Sequence, residues 1–154
     1  MGQKVSPVGL RIGVNKSWQS NWYAEGKLNA KYIKNDDKIR KMLEKKLKDA
    51  SVSSILIERD TKKTNVVINT AKPGVVIGHG GDEIEKLKKE LTKLVNENIQ
   101  ISIKEVKNPD LDAALVAENI ARQIEGRVSF RIAQKRAIRN TMKAGAKGIT
   151  TAVS

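Results

Sequence analysis

The segment Gly-His-Gly-Gly at residues 78–81 constrains the fold of this chain more than any other, because it separates two stretches of helical pattern. Before it, Pro73 and Gly74 open a short apolar helix. After it, a second helix begins at Asp82 with one apolar stripe: Ile84, Leu87, Leu91 and Leu94. Glycine adopts positive φ and lets a ligand approach the backbone. The segment therefore predicts a tight interhelical turn whose main-chain N–H groups are open to an anion.

The elements around this turn predict an α+β domain over residues 35–106. A helix capped by Asn35 or Asp36 comes first. Two strands follow, over 52–59 and 65–70, joined by a polar connection of hairpin length. After the glycine turn and its helix, apolar and polar residues alternate over 99–104, which is the period of a half-buried strand.

Residues 1–34 precede this domain and show no helical or strand period. Several glycines break them up, so we expect an extended but ordered N-terminal arm. The arm carries Trp18, Trp22 and Tyr23. These rings either stack on bases, as in proteins that bind single strands, or seat the arm against the domain or a neighbouring protein. The sequence leaves both possibilities open.

Residues 107–154 follow the domain and are mostly helical in pattern. Asn108 and Pro109 are typical of a helix start, and that helix ends at Gly126. Another helix runs over about 129–144, and residues 149–154 have the pattern of a beginning strand. We expect this segment to be the start of a second domain, with two helices and a first strand.

The charge of the chain indicates a polyanionic partner. Thirty Lys and Arg residues against seventeen Asp and Glu residues give a net charge of +13, and the pI is near 10.0. Such a field concentrates polyanions, and nucleic acid is the usual one, with an anionic membrane surface as the alternative. The absence of cysteine excludes disulfides, thiol catalysis and Cys-ligated zinc. Since no apolar run could span a bilayer, we expect a cytoplasmic protein without a membrane partner.

The helix over 129–144 carries the most one-sided charge. Its cations Arg131, Lys135, Arg139 and Lys143 are spaced four apart and form one slowly drifting stripe, with Arg136 beside it. All seven charged residues from Arg127 to the last residue are positive, Lys147 included. A solvated helix usually mixes signs, so the stripe predicts contact with a polyanion rather than with water alone.

The turn and its flanks resemble the core motif of KH domains, V-I-G-x-x-G-x-x-I, at residues 76–84. With two strands before the turn and one after it, the resemblance is to the type II KH fold. It implies a three-stranded mixed sheet with helices on one face, and an RNA backbone clamped by the turn. The expected contacts are Gly78, His79, Gly80, Gly81 and the nearby Lys72. A P-loop or a dinucleotide fingerprint fits less well, because Asp82 and Glu83 occupy the positions where those motifs need other residues.

Further segments resemble bacterial small-subunit ribosomal protein number three: G-Q-K-V-x-P-x-G-x-R-x-G at 2–13, W-x-S-x-W-Y-A at 18–24, N-P-x-L-D-A at 108–113, R-V-S-F-R at 127–131 and G-A-K-G-I at 145–149. This family resemblance implies a structural component of the small-subunit head. It also implies that the second domain is truncated in the sequence given, because in this family that domain continues into its own sheet. The implied partners of the protein are small-subunit ribosomal RNA, messenger RNA, whose channel it lines, and neighbouring head proteins. The implied RNA-binding residues are Lys4, Arg11, Lys72, Gly78, His79, Gly80, Gly81, Arg127, Arg131, Lys135, Arg136, Arg139, Lys143 and Lys147. Ile132 interrupts a cluster that is usually basic, which weakens the expectation of strong unwinding of messenger RNA.

Two alternatives remain at this stage. A free-standing KH regulator that binds single-stranded RNA would need only the KH core and the charge, and would leave the arm unexplained. A nuclease or a lyase would need clustered carboxylates or an activated lysine, whereas the acidic residues here mostly share helix faces with lysines. We therefore expect no enzyme, no catalytic residue, no metal, no cofactor and no homo-oligomer. His79, the only histidine, has no orienting partner in the sequence and is expected to be exposed.

Overall fold

The structure is a computed structural model, and it describes residue 3, residues 5–60 and residues 63–154. Its elements, in chain order, are α1 Pro7–Arg11, β1 Ser20–Asn21, α2 Lys27–Lys46, β2 Val52–Arg59, β3 Thr64–Thr70, α3 Pro73–Ile77, α4 Asp82–Val95, β4 Ile99–Glu105, α5 Ala113–Glu125 and α6 Phe130–Lys143. Single 3₁₀ turns lie at Lys48–Ala50, His79–Gly81 and Pro109–Leu111.

The sheet is mixed and has the order β1-β2-β3-β4. Strands β2 and β3 are antiparallel, and β3 and β4 are parallel, so the three expected strands are confirmed. The two-residue strand β1 is an addition from the N-terminal segment, and it pairs in parallel with β2. It occupies part of a sheet edge that would otherwise present unpaired N–H and C=O groups.

The core lies between one face of this sheet and helices α2, α3 and α4. Its fully buried side chains come from every layer: Ile39, Leu43, Ile57, Val66, Ile68, Val76, Leu91 and Ile99. Apart from Leu56 and Val67, the opposite sheet face is polar, and hydrogen bonds tie its strands together from Asn69 to Ser54 (2.8 Å) and from Ser102 to Asn65 (2.9 Å). The expected α+β fold, with helices on one face of the sheet, is confirmed.

Helix α2 begins eight residues earlier than expected, so the extended arm predicted over 1–34 is wrong in its last eight residues. Asn35 and Asp36 are buried inside the helix instead of capping it. Their side chains bind other elements, and Asn35 donates to Glu97 at 2.9 Å. Residues that suit a helix cap also suit a buried hydrogen-bonding position, and the sequence does not distinguish the two. The segment before α2 is also less extended than expected, because it contains α1 and β1.

A buried ion cluster around Arg59 holds the arm on the domain. The Arg59 guanidinium pairs with Asp36 and Glu97, and its side chain is only 5% exposed. Asp36 also accepts hydrogen bonds from Ser20 Oγ (2.9 Å) and Trp22 Nε1 (2.8 Å). Removing one partner from such a cluster leaves a buried charge uncompensated, which typically costs about 3–5 kcal/mol. The arm is therefore anchored through these side chains and through the pairing of β1 with β2, rather than through a large apolar interface.

The second segment contains its two expected helices but not its expected strand. Helix α5 is capped by Asp112, whose carboxylate accepts from Ala114 N at 2.9 Å, and not by Asn108. Pro109 lies in a 3₁₀ turn before the helix. A small core joins α5 and α6, with Ile149 packed against it. Residues 149–154 form neither helix nor strand, because the described residues place no strand beside them to share hydrogen bonds.

Candidate nucleic-acid interface

The glycine turn lies at the N-terminus of α4, as the sequence predicts. Helix α3 ends at Ile77, a 3₁₀ turn covers His79–Gly81, and α4 begins at Asp82. Gly81 caps α4 without any side-chain hydrogen bond to the first N–H groups of the helix. Asp82 N–H donates to His79 O within the turn. The N–H groups that follow it have no partner within the helix, so they form a site where a phosphate oxygen can bind.

The three glycines of the turn have positive φ but differ in their surroundings. Their φ angles are 72° at Gly78, 66° at Gly80 and 88° at Gly81. A Cβ on Gly78 would come within 2.5 Å of Glu83 Cγ, whereas a Cβ on Gly80 or Gly81 would meet nothing within 4 Å. Gly78 is thus required by packing and conformation, and the other two by conformation alone. The open space beside Gly80 and Gly81 is the side from which a ligand can approach.

The electrostatics of the turn are mixed. Lys72, at the start of α3, and His79, within the turn, are both exposed, so both predicted contacts are accessible. The first turn of α4, however, contains three acidic side chains: Asp82, Glu83 and Glu85. Acidic groups there already interact favourably with the helix dipole and compete with a phosphate. The turn can therefore bind RNA through backbone geometry more than through net charge.

The apolar support of the turn comes from Val76 rather than from its neighbour Ile77. Val76 is fully buried against the sheet and helices, whereas Ile77 is 41% exposed. Val76 therefore anchors the five-residue helix α3 to the core, and Ile77 does not. Ile77 and Val75 instead offer exposed apolar surface next to the glycines, where bases can lie.

Helix α6 presents its cations as the sequence predicts. Arg131, Lys135, Arg139 and Lys143 are all exposed, and the buried residues of α6 lie on the other side of the helix: Ala133, Ala137 and Thr141. Within the described residues none of these four cations forms an ion pair. Arg131 lies over the Phe130 ring, with 5.7 Å from the guanidinium carbon to the ring centroid. This face of α6 is accessible to a ligand, and no described acidic side chain neutralises its positive charge.

The remaining predicted contacts that the structure describes are Arg136, Arg127, Lys147 and Arg11. Arg136 donates to Gln123 Oε1 at 3.4 Å, on the side of α6 that faces α5. Arg127 and Lys147 are exposed in the segments before and after α6, and Arg127 has a left-handed φ of 62°. Arg11 is exposed on α1 and donates to Pro7 O at 2.8 Å. Lys4 lies outside the described residues.

The arm's aromatic residues divide between the two roles that the sequence left open. Trp22 is half-buried, donates to Asp36 and packs edge-on against Tyr32, with ring centroids 5.4 Å apart. It seats the arm. Trp18 and Tyr23 are 64% and 84% exposed and are free to meet a partner.

Two features of the interface were missed by sequence reasoning. The Arg59 cluster has no local signal, since Asp36, Arg59 and Glu97 are far apart in the chain and meet only in the fold. The lysines of α2 are numerous, and their regular spacing was not predicted. That spacing is visible in the sequence once the helix is known to begin at Lys27.

Two kinds of site are not found in the part of the chain that the structure describes. No described helix is long and apolar enough to cross a membrane. Among the same residues, no group of three or more His, Asp or Glu side chains is placed to hold a metal ion.

Comparison with known proteins agrees with this architecture. A family model described as KH domain matches residues 38–111. The small ribosomal subunit protein uS3 of Brevibacillus brevis is 60% identical over all 154 residues of this chain, which cover 70% of that protein. The same coverage holds for the uS3 proteins of Halalkalibacterium halodurans, at 59% identity, and Listeria welshimeri, at 58%. The expected family is confirmed: this chain belongs to the uS3 family of small ribosomal subunit proteins and contains a KH domain.

Proposed function

We propose that this protein is a structural component of the small ribosomal subunit head, located in the cytoplasm. It binds small-subunit ribosomal RNA, contacts neighbouring head proteins, and lines the channel through which messenger RNA enters. No nucleotide cofactor takes part. The observation that carries the proposal is the open row of cations on α6, in a chain that belongs to this family.

The α6 row suits a strand that must move. Its cations are on long side chains, none is held by a carboxylate in the described residues, and no pocket is needed to admit a base. Contacts of this kind bind phosphates without reading sequence, so a messenger of any sequence can pass along them. Ile132, 54% exposed within the row, reduces its charge, so we propose guiding of messenger RNA rather than strong unwinding.

The glycine turn suits a strand that stays in place. Helices α3 and α4 hold the turn from both ends, its three glycines have positive φ, and Val75 and Ile77 provide apolar surface beside them. A preorganised site of this kind loses little entropy on binding. We therefore assign ribosomal RNA to the turn and messenger RNA to α6.

The first test is the sedimentation of the protein in a native lysate. We expect nearly all of it to travel with the small ribosomal subunit and to survive a moderate-salt wash. Protein that stays at the top of the gradient would contradict the proposal and favour a free-standing KH regulator.

The second test places messenger RNA relative to α6. A messenger carrying photoreactive nucleosides downstream of the decoded codon is bound to ribosomes that contain either the wild type or the triple variant R131A/K135A/R139A. We expect cross-links to this protein in the wild type and a strong reduction in the variant. A matched variant, K88A/K89A/K93A on α4, should keep them. Equal cross-linking in all three ribosomes would contradict the proposal that α6 lines the channel.

A further inference from the structure

Helix α2 carries a second row of cations, which neither the glycine turn nor α6 accounts for. It consists of six exposed lysines with alternating spacings of four and three residues, here named the α2 lysine stripe: Lys27, Lys31, Lys34, Lys38, Lys41 and Lys45. At 100° per residue this alternation keeps the lysines within a sector of about 80° over a length of about 27 Å. Every residue of α2 in that sector is a lysine.

The stripe differs from an ordinary solvated helix surface. On α4 the outer side mixes signs, and Lys89 lies 3.9 Å from Glu85. In the described residues, Lys41 is the one lysine of the stripe with an ion pair, at 2.7 Å from Asp37, and the hydrogen bond in this pair raises the pKa of Lys41. Like charges three and four residues apart destabilise a helix. The lysines of the stripe therefore repel one another, and an anionic partner would reduce this repulsion.

The first half of α2 depends least on the rest of the fold. No residue over 27–34 is buried, and the buried positions begin at Asn35. Gly26 gives no side-chain cap, and the first turn contains no acidic residue. Lys27 thus lies at the positive end of the helix dipole. A polyanion along the stripe would neutralise the lysines and the dipole together, and would stabilise a segment that is marginal in isolation.

We propose that the α2 lysine stripe is a second RNA-binding surface, which holds the phosphate backbone of an RNA duplex without reading its sequence. A straight, rigid row matches a rigid duplex, and lysines act as point charges on phosphate rather than as readers of base edges. The inference rests on the proposed RNA-binding function, but it does not depend on the glycine turn or on α6.

A membrane surface fits the stripe less well than RNA. An interfacial helix needs an apolar face that can enter the bilayer. The apolar face of α2 is occupied, since Ile39 and Leu43 are fully buried in the core. The exposed Leu28 and Ile33 lie on opposite sides of the helix and form no such face.

The test compares two variants of the full chain that lose the same four charges. The stripe variant is K27Q/K31Q/K34Q/K38Q, and the control is K88Q/K89Q/K93Q/K107Q, in which all four lysines are exposed and lie outside α2. Glutamine keeps a helix propensity close to that of lysine, so the helices should persist. Binding to a short RNA duplex of mixed sequence is titrated at several salt concentrations, with circular dichroism as the check on folding.

We expect the stripe variant to lose about tenfold or more in duplex affinity, and its salt-dependence slope to fall by about 0.9 for each lost phosphate contact. The control should change much less. Equal losses in both variants would overturn the inference, because net charge alone would then explain the binding. So would stripe-dependent binding to vesicles containing phosphatidylserine with no effect on the duplex.

Hydrogen exchange supplies a readout that does not depend on affinity. Adding the duplex should slow exchange of the backbone amides of residues 27–34 in the wild type and in the control variant. Unchanged exchange there, under conditions in which the duplex is bound, would contradict the inference.

The α6 variant R131A/K135A/R139A is measured in parallel on single-stranded RNA. If only the α6 variant loses RNA affinity, the proposed function stands and the inference about the α2 lysine stripe is contradicted. If only the stripe variant loses RNA affinity, the inference stands and the proposed role of α6 is contradicted.

Discussion

The glycine turn and the α6 row reach the same kind of ligand by opposite means. The turn lies between helices α3 and α4 and follows a backbone course that three positive-φ glycines allow, but the first turn of α4 after it contains three acidic residues. The α6 row has no special backbone conformation, and its charge is of one sign. One site depends on shape and the other on charge, which shows that net charge alone does not locate RNA contacts in a basic protein.

This difference should appear in the salt dependence of binding. Contacts through neutral N–H groups displace fewer counterions than contacts through Lys and Arg, so the turn should be less sensitive to salt than α6. Four sets of substitutions, given in order of expected effect, test this comparison.

The largest effect is expected from removing charge on α6. R131A/K135A/R139A should lower the salt-dependence slope on single-stranded RNA by about 2, and the affinity near physiological salt by roughly 50-fold, at about 0.7 in slope for each contact. Titrations at several salt concentrations measure both. An unaltered slope would show that the row is only solvated.

A large loss of stability is expected from G78A, because the new Cβ meets Glu83 and the residue must keep a positive φ. We expect the free energy of unfolding to fall by about 2–3 kcal/mol. G81A, where the Cβ meets open space, should lose only about 1–2 kcal/mol from its backbone conformation. Urea denaturation of both variants checks the difference, and equal losses would mean that the Glu83 contact relaxes freely.

A smaller effect on binding is expected from G80D/G81D, which should weaken RNA binding by about tenfold while the domain stays folded, since charge now repels phosphate at a close approach. G80N/G81N is the matched control, because asparagine has the same shape and tolerates positive φ. If both pairs lose affinity equally, shape rather than charge governs the approach. If neither loses affinity, the turn does not contact RNA.

The smallest effect is expected from D112A, at the junction between the KH domain and the second segment. Asp112 caps α5 and also accepts a hydrogen bond from Ser53 in β2. Its loss should lower the free energy of unfolding by about 1 kcal/mol, and D112N should recover most of it. Thermal denaturation followed by circular dichroism is sensitive enough. A full loss in D112N would indicate that the charge, rather than the cap, matters.

The sequence predicted the central domain well because its signals are local. The alternation over 99–104, the apolar stripe after Asp82 and the glycines all act over a few residues, and each element appears where it was expected. The cations of α6 were equally readable, since four-residue spacing on a helix places them on one side.

The errors lie where distant residues decide the structure. Asn35 and Asp36 suit a helix cap, but partners at Glu97 and Arg59 bury them inside α2. The strand expected over 149–154 does not form, because a strand needs a neighbour as well as a pattern. In both cases the missing information was the identity of the partner, which propensity and period do not contain.

The Arg59 cluster also has a consequence for the order of events during synthesis. The arm is translated first, but its anchor is complete only when Glu97 has been made, 75 residues after Trp22. At typical elongation rates this interval lasts on the order of 4–15 seconds. During that time the Arg59 cluster, which holds Trp22 and its neighbours on the domain, is incomplete. The N-terminal end of the chain should therefore be among the last parts to settle, and a nascent chain shorter than 97 residues should leave it open to proteases.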